Sequence, residues 1–193
     1  MRFDRFTERA QDAAARAYEI VQRYGHTQVD TEHLFLALLE QNDGAIPQIL
    51  AHLTVDVEAM SARVDEELRA SPKVAVYGGG VGQVFYTPSI RTVLELAQGE
   101  ANRLKDAFIS TAHIFLAILS ERNTPAARIL QEFAVTRERL LEGIESLRGG
   151  QRVTDRQAEG RYKTLEKYSR DLTALAVEGK LDPVIGRDSE ILR

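Results

Sequence analysis

Few side chains in this sequence have the types and spacing that catalysis or metal binding requires. Two histidines, His33 and His113, each stand near the start of an apolar run, but neither belongs to an H-E-x-x-H motif, so we interpret both as packing residues. The glycine-rich stretch 78–82 (GGGVG) lacks the lysine of a phosphate loop and predicts a flexible connection. With no cysteine and no Ser-His-Asp or paired-carboxylate pattern, the sequence predicts a binding module without a metal rather than an enzyme.

The segment Thr31-Glu32-His33 begins a predicted helix and could bind a charged ligand. Unpaired backbone N–H groups at a helix N-terminus attract anions, and the Glu32 carboxylate beside them could hold a cation. Alternatively, Glu32 only complements the helix dipole. The corresponding position later in the chain is Ala112, so a site of this kind would be single.

An internal repeat positions these residues. Shifted by 80 residues, the chain aligns with itself, so that 31–39 (TEHLFLALL) meets 111–119 (TAHIFLAIL) without a gap. Self-similarity at a fixed period is the signature of a duplicated structural unit. His33 and His113 therefore occupy equivalent positions in two repeats.

Each repeat shows the periodicity of four amphipathic helices. Apolar residues recur every three to four positions, as in Ile90, Val93, Leu94 and Ala97, and no alternating strand pattern stands out. Thr87-Pro88 and Thr124-Pro125 each predict an N-cap followed by proline in the first turn. We therefore predict an all-α fold over 1–148, a pseudo-twofold bundle of eight helices built from repeats 1–70 and 81–148.

The remaining segments predict a linker and the beginning of another domain. Residues 149–155 are polar and contain two glycines, and a helix with alternating charges follows, so 149–180 is predicted to be a linker with a helix. Residues 181–193 start a new unit that stops soon after a helix begins. The net charge of −4 and the absence of an apolar run longer than six residues argue against nucleic-acid and membrane partners and predict a cytoplasmic protein.

Aromatic residues stand just before the first helix of each repeat: Phe3, Phe6, Phe85 and Tyr86. They could staple the helices, or they could rim an apolar groove between the repeats that binds extended or unfolded segments. Both interpretations remain open at the level of sequence.

The duplicated helical unit headed by MRFDRFT resembles the amino-terminal domain of the Clp chaperone ATPases. The stretches RGGQRVTD (148–155), LEKY (165–168) and GKLDPVIGRD (179–188) are similar to the linker and first-ATPase-domain start of the ClpB family. The loop end VGQV (81–84) is also more similar to ClpB, whereas FTERAQ (6–11) and TEH (31–33) look more like the ClpC family.

Resemblance to ClpB implies a role in an ATP-driven hexameric disaggregase that threads aggregated chains through a central pore and works with the DnaK system. The amino-terminal domain would be a monomeric module that captures unfolded polypeptide through an apolar groove. ATP and Mg would bind the parent protein, with Val184, Ile185, Gly186 and Arg187 beside the adenine, and the fragment alone would bind no cofactor. The candidate substrate-binding residues are Phe3, Thr7, Glu32, Phe85, Tyr86, Leu96, Glu100 and His113.

Two alternatives remain. In a ClpC-type unfoldase, which delivers substrates to the ClpP protease, the residue matching Glu32 helps to recognise phosphorylated arginine. Outside the family, the chain would be a free-standing helical adaptor that binds peptides.

Overall fold

The computed structural model describes residues 4–71 and 85–162. Within them the chain forms the eight predicted helices, which confirms the all-α fold class. The helices are α1 (Glu8–Tyr24), α2 (Thr31–Leu39), α3 (Ala45–His52), α4 (Val57–Ala70), α5 (Pro88–Arg103), α6 (Thr111–Ser120), α7 (Pro125–Glu132) and α8 (Arg137–Arg148). A 3-10 turn, Ala158–Arg161, follows α8.

Most helix starts lie where the sequence placed them. Thr7, Thr87, Thr124 and Thr136 each cap a helix by accepting a hydrogen bond from a backbone N–H three residues later. Proline occupies the first turn of α5 and of α7, where its missing N–H costs nothing. Gly25 ends α1 in the left-handed region, with φ of 72°, which a glycine adopts without strain.

The two repeats pack around a pseudo-twofold axis. Helices α2 and α6 are in contact at the centre, where the equivalent residues Phe35 and Phe115 are fully buried and pack with their rings tilted by 57° and their centroids 5.6 Å apart. Around them α1 packs on α2 as α5 packs on α6, while α3 packs on α8 as α7 packs on α4. Each repeat therefore completes the core of the other.

Two short parallel backbone pairings, which the sequence pattern did not predict, tie the repeats together. Strand β1 (Gln28–Val29) pairs with β2 (Phe85–Tyr86), and Phe6 forms an isolated bridge with Ile109. The bridges Val29–Tyr86 and Ile109–Phe6 are equivalent under the 80-residue shift. Thr87 N donates to Val29 O (3.1 Å) and Thr7 N donates to Ile109 O (2.9 Å) in the matching arrangement.

The compact unit extends to Tyr162, beyond the boundary predicted at Arg148. Gly149 and Gly150 both have positive φ, and residues 151–162, which we call the strap, pack onto the helices. Val153 and Ala158 are buried in this packing. The predicted linker helix and the start of the next domain, both beyond residue 162, lie outside the described residues.

Candidate functional site

An apolar cleft opens where the first helices of the two repeats flank the pseudo-twofold axis. Its sides come from α1 and α5, and its floor comes from the equivalent residues Leu34 and Ile114 on the central helices. The side residues are Phe6, Ala10, Ala14 and Ala17 on the first repeat, and Tyr86, Ile90 and Leu94 on the second. We call this feature the inter-repeat cleft.

The inter-repeat cleft is lined by pairs of equivalent residues that differ in size. Ala10 corresponds to Ile90, and Ala14 to Leu94, so the α1 side is small and the α5 side is bulky. The free space is about 20 Å³, little more than one water molecule occupies. The cleft is therefore nearly closed, and a bound side chain requires it to widen.

The two ends of the inter-repeat cleft differ in exposure. Tyr86 is 42% exposed and its neighbour Phe85 is 57% exposed, whereas the equivalent Phe6 is only 5% exposed. Tyr18, on the α1 side, is 36% exposed. Because large aromatic side chains are normally covered, the end marked by Phe85 and Tyr86 is the stronger candidate for contact with a partner.

Thr7 and His113, two predicted binding residues, do not reach the surface. Thr7 is fully buried because its hydroxyl caps α1. His113 is also fully buried: its Nδ1 accepts from Ser110 N (2.9 Å), which caps α6, and its Nε2 donates to Asp106 (2.9 Å). Both residues stabilise the helix starts beside the cleft, and in this structure neither offers a side chain to a ligand.

The histidine cap occurs in both repeats with different partners. His33 Nδ1 accepts from Asp30 N (3.0 Å), and its Nε2 donates to His26 Nδ1 (2.8 Å), where the second repeat has Asp106. Burial and, to a smaller extent, the neighbouring His26 together lower the pKa of His33 to about 4. The interpretation of His33 and His113 as packing residues agrees with this geometry.

Leu96 and Glu100 lie on α5 but do not line the inter-repeat cleft. Leu96 is 36% exposed, yet it follows Leu94 by two residues, which is about 200° around the helix. Glu100 is 6% exposed, and its carboxylate binds Arg137 through two contacts (2.7 and 3.0 Å) and Arg103 (3.3 Å). Glu100 is thus occupied by two arginines in this structure.

The N-termini of α2 and α6 carry carboxylates from different sources. Glu32 is 7% exposed and accepts from the Thr31 hydroxyl (2.8 Å), and burial raises its pKa. At the equivalent end of α6, where the sequence has Ala112, the strap supplies Glu159, which accepts from Thr111 N (2.6 Å) and Thr111 Oγ1 (3.1 Å). Sequence reasoning missed Glu159, because nothing local to it indicates a distant helix end.

The remaining predicted site residues, Phe3 and 184–187, lie outside the described residues. In 4–71 and 85–162, no cluster of three or more histidine or acidic side chains is arranged to hold a metal ion. Across the same ranges no helix combines the length and apolarity needed to cross a membrane. Of the residues on the second-repeat side of the cleft, Tyr86 was predicted as a site residue, and Ile90 and Leu94 were not. Ile90 and Leu94 could have been identified from the sequence, because alanine occupies the equivalent positions of α1.

Residues 5–133 match the family model described as the Clp repeat (R) N-terminal domain. The chaperone protein ClpB of Nitratidesulfovibrio vulgaris is 43% identical over the whole of this chain, which confirms the resemblance to ClpB, and the chain spans 22% of that protein's length. The Hsp104 N-terminal domain from Candida albicans superimposes with a TM-score of 0.68, at 20% identity, over 80% of this chain and 98% of that one. A ClpV N-domain in complex with a VipB peptide has a TM-score of 0.56, at 17% identity, over 74% of this chain and 86% of that one. The chain therefore belongs to the Clp repeat amino-terminal domain family.

Proposed function

We propose that this chain is the substrate-capturing amino-terminal module of an ATP-dependent protein disaggregase of the ClpB type. The observation that carries the proposal is the inter-repeat cleft with Phe85 and Tyr86 exposed at one end. An unfolded or aggregated polypeptide differs from a folded one in presenting apolar side chains, and these gain most from contact with exposed aromatic rings beside an apolar cleft. The peptide bound to a ClpV N-domain supports a peptide-binding role for this fold.

The wider role concerns the longer protein. Similarity to ClpB along the whole chain supports a parent ATPase that binds ATP and Mg, forms a hexamer, threads substrates through its pore and acts with the DnaK system in the cytoplasm under stress. Residues 184–187 would then lie beside the adenine of ATP. In this arrangement the present chain recruits the substrate, and the hydrolysis of ATP takes place elsewhere in the protein.

The test is a titration of the isotope-labelled chain with a permanently unfolded protein, followed by NMR. We expect saturable shifts at the inter-repeat cleft, and binding about tenfold weaker for Tyr86→Asp, because a charge replaces an exposed anchor ring. Leu96→Asp is the matched control, since it puts the same charge at a similarly exposed position, on the side of α5 that faces away from the cleft. Both variants are expected to keep the wild-type melting temperature.

Each other outcome has a definite meaning. Absence of shifts in the wild type refutes substrate capture by this chain. Loss of binding in Leu96→Asp but not in Tyr86→Asp refutes the cleft and assigns binding to the outer face of α5, which the family resemblance implies.

A further inference from the structure

One end of the inter-repeat cleft is held by two layers of backbone contacts. The inner layer is the bridge between the repeats, in which Thr7 N donates to Ile109 O (2.9 Å) and Ile109 N donates to Arg5 O (2.7 Å). Phe6, between these contacts, lines the cleft. Widening the cleft at this end therefore requires the segment around Phe6 to separate from the segment around Ile109.

The strap forms the outer layer, because it binds both partners of that bridge. On the first repeat, Glu8 N donates to Arg156 O (2.9 Å), and Gln157 Nε2 donates to the Glu8 carboxylate (3.1 Å). On the second repeat, Ala107 N donates to Val153 O (2.9 Å), and Glu159 accepts from the backbone at the start of α6. The strap thus connects the two segments that must separate.

The equivalent end of the cleft provides an internal comparison. There the bridge between Val29 and Tyr86 has the same backbone pattern, but Tyr86 is 42% exposed where Phe6 is 5% exposed. The strapped end is therefore the covered end.

The anchor of the strap is incompletely satisfied. Glu159 is buried, yet its Oε2 has no hydrogen-bond partner among the described residues, and neither has the buried hydroxyl of Tyr162. A buried polar atom without a partner lowers the net stability of the contact that buries it. The contacts that anchor the strap are therefore those of Glu159 Oε1 and of the Val153 and Arg156 backbone.

We propose that the strap holds the inter-repeat cleft closed, and that its release opens the cleft to polypeptide. This inference rests on the proposed function, since it concerns regulation of the same site. The strap ends at Tyr162, where the first compact unit ends, and the chain continues directly from Lys163. Because the strap is the part of the unit next to Lys163 in the sequence, a force on the chain at that point would act on the strap before the helices.

The test locks the strap with an engineered disulfide in the full 193-residue chain. Glu8 and Arg156 are exposed and lie side by side, since Glu8 N donates to Arg156 O (2.9 Å), and the chain has no native cysteine to interfere. In the double variant Glu8→Cys/Arg156→Cys, we expect the oxidised form to bind the unfolded protein at least fivefold more weakly than the reduced form, the lower range of typical coupling between sites. The two single-cysteine variants are matched controls and should bind equally with and without reductant.

A second variant tests release directly. Glu159→Ala removes the anchor, and we expect tighter binding together with faster hydrogen exchange of the Thr7 and Ile109 amides. Equal binding by the oxidised and reduced double variant, with wild-type affinity in Glu159→Ala, overturns the strap inference while the proposed function stands. Failure of every form, including the wild type, to bind the unfolded protein refutes the proposed function and this inference with it.

Discussion

The buried carboxylate of Asp106 allows a quantitative test of how the two repeats differ. Its side chain is 1% exposed and accepts from His113 Nε2 (2.9 Å), Arg148 Nη1 (2.7 Å) and Val153 N (2.8 Å). The equivalent residues of the first repeat are His26, His33 and Leu68. An acid and an arginine in one repeat thus replace a histidine and an apolar side chain in the other.

We predict that Asp106→His and Arg148→Leu are each strongly destabilising alone and compensate each other when combined. Either single change leaves the opposite charge buried without its partner, which costs about 3–5 kcal/mol. The double variant recreates the composition of the first repeat and loses two hydrogen bonds, from Val153 N to Asp106 and from Arg148 to Ser110 Oγ, which involve charged groups and contribute about 1.5–3 kcal/mol each. The double variant should therefore be destabilised by much less than the summed cost of the two single variants, with a coupling energy of about 3 kcal/mol.

The assay is urea unfolding of the four proteins at pH 7. Burial would raise the pKa of Asp106, but hydrogen bonds from His113 and Val153 and the charge of Arg148 outweigh burial and lower the pKa to about 2. A depressed folded-state pKa gives stability that is present above about pH 4 and is lost as the pH falls toward 2, so the full effect operates at pH 7. Asp155→Ala is the control: its ion pair with Arg161 is exposed to solvent, so its loss should leave the stability almost unchanged.

The outcome that would refute this reasoning is additivity. If the double variant is destabilised by the summed cost of the single variants, the charges act independently, and the second repeat does not depend on Asp106 and Arg148 as a pair. If neither single change costs more than the exposed control, the network does not contribute to stability.

Two further predictions concern the carboxylates at the helix N-termini. Burial raises the pKa of Glu159 from 4.5 to about 7, so the stability that Glu159 contributes is full below pH 4.5 and declines by up to about 3 kcal/mol as the pH rises to 7. The free energy of unfolding measured from pH 4.5 to 8 should show this decline in the wild type and a flatter profile in Glu159→Gln. Parallel profiles for the two proteins would contradict the prediction. Titration with phosphoarginine should give no saturable binding, because Glu32 is 7% exposed and Glu159 fills the equivalent helix end; saturable binding that Glu32→Ala abolishes would favour the ClpC-type alternative.

The helices were predictable because their signals are local. Thr87-Pro88 and Thr124-Pro125 specify helix starts within two residues, and the 80-residue repeat transfers each assignment to the other half. The helix-capping role of His33 and His113 was not predicted, although both were correctly placed near helix starts. A histidine in the third helical position that accepts from the N-cap backbone replaces the usual glutamate or glutamine of a capping box.

The amino-acid composition predicts a linker where the strap lies, because composition reflects only the local conformational preference of the chain. Gly149 and Gly150 indicate a break in the helix, and the break is real, but their positive φ values turn the chain back onto the domain. The strap is held by hydrogen bonds to residues that are distant in sequence: Val153 N donates to Asp106, and Glu159 accepts from Thr111 N. No local pattern distinguishes a glycine pair that begins a free linker from one that begins a docked segment.

Duplication explains why the candidate site has one covered and one exposed end. Phe6 pairs with Ile109 as Tyr86 pairs with Val29, so each pairing joins the segment before the first helix of one repeat to the segment before the second helix of the other. Side chains outside that packing are free to differ. At one end the chain places Arg5, the charged network and the strap, and at the other it exposes Phe85 and Tyr86. The duplicated backbone thereby forms a cleft with one end that the strap holds closed, where release of the strap would open it, and one end where exposed aromatic side chains can contact a partner.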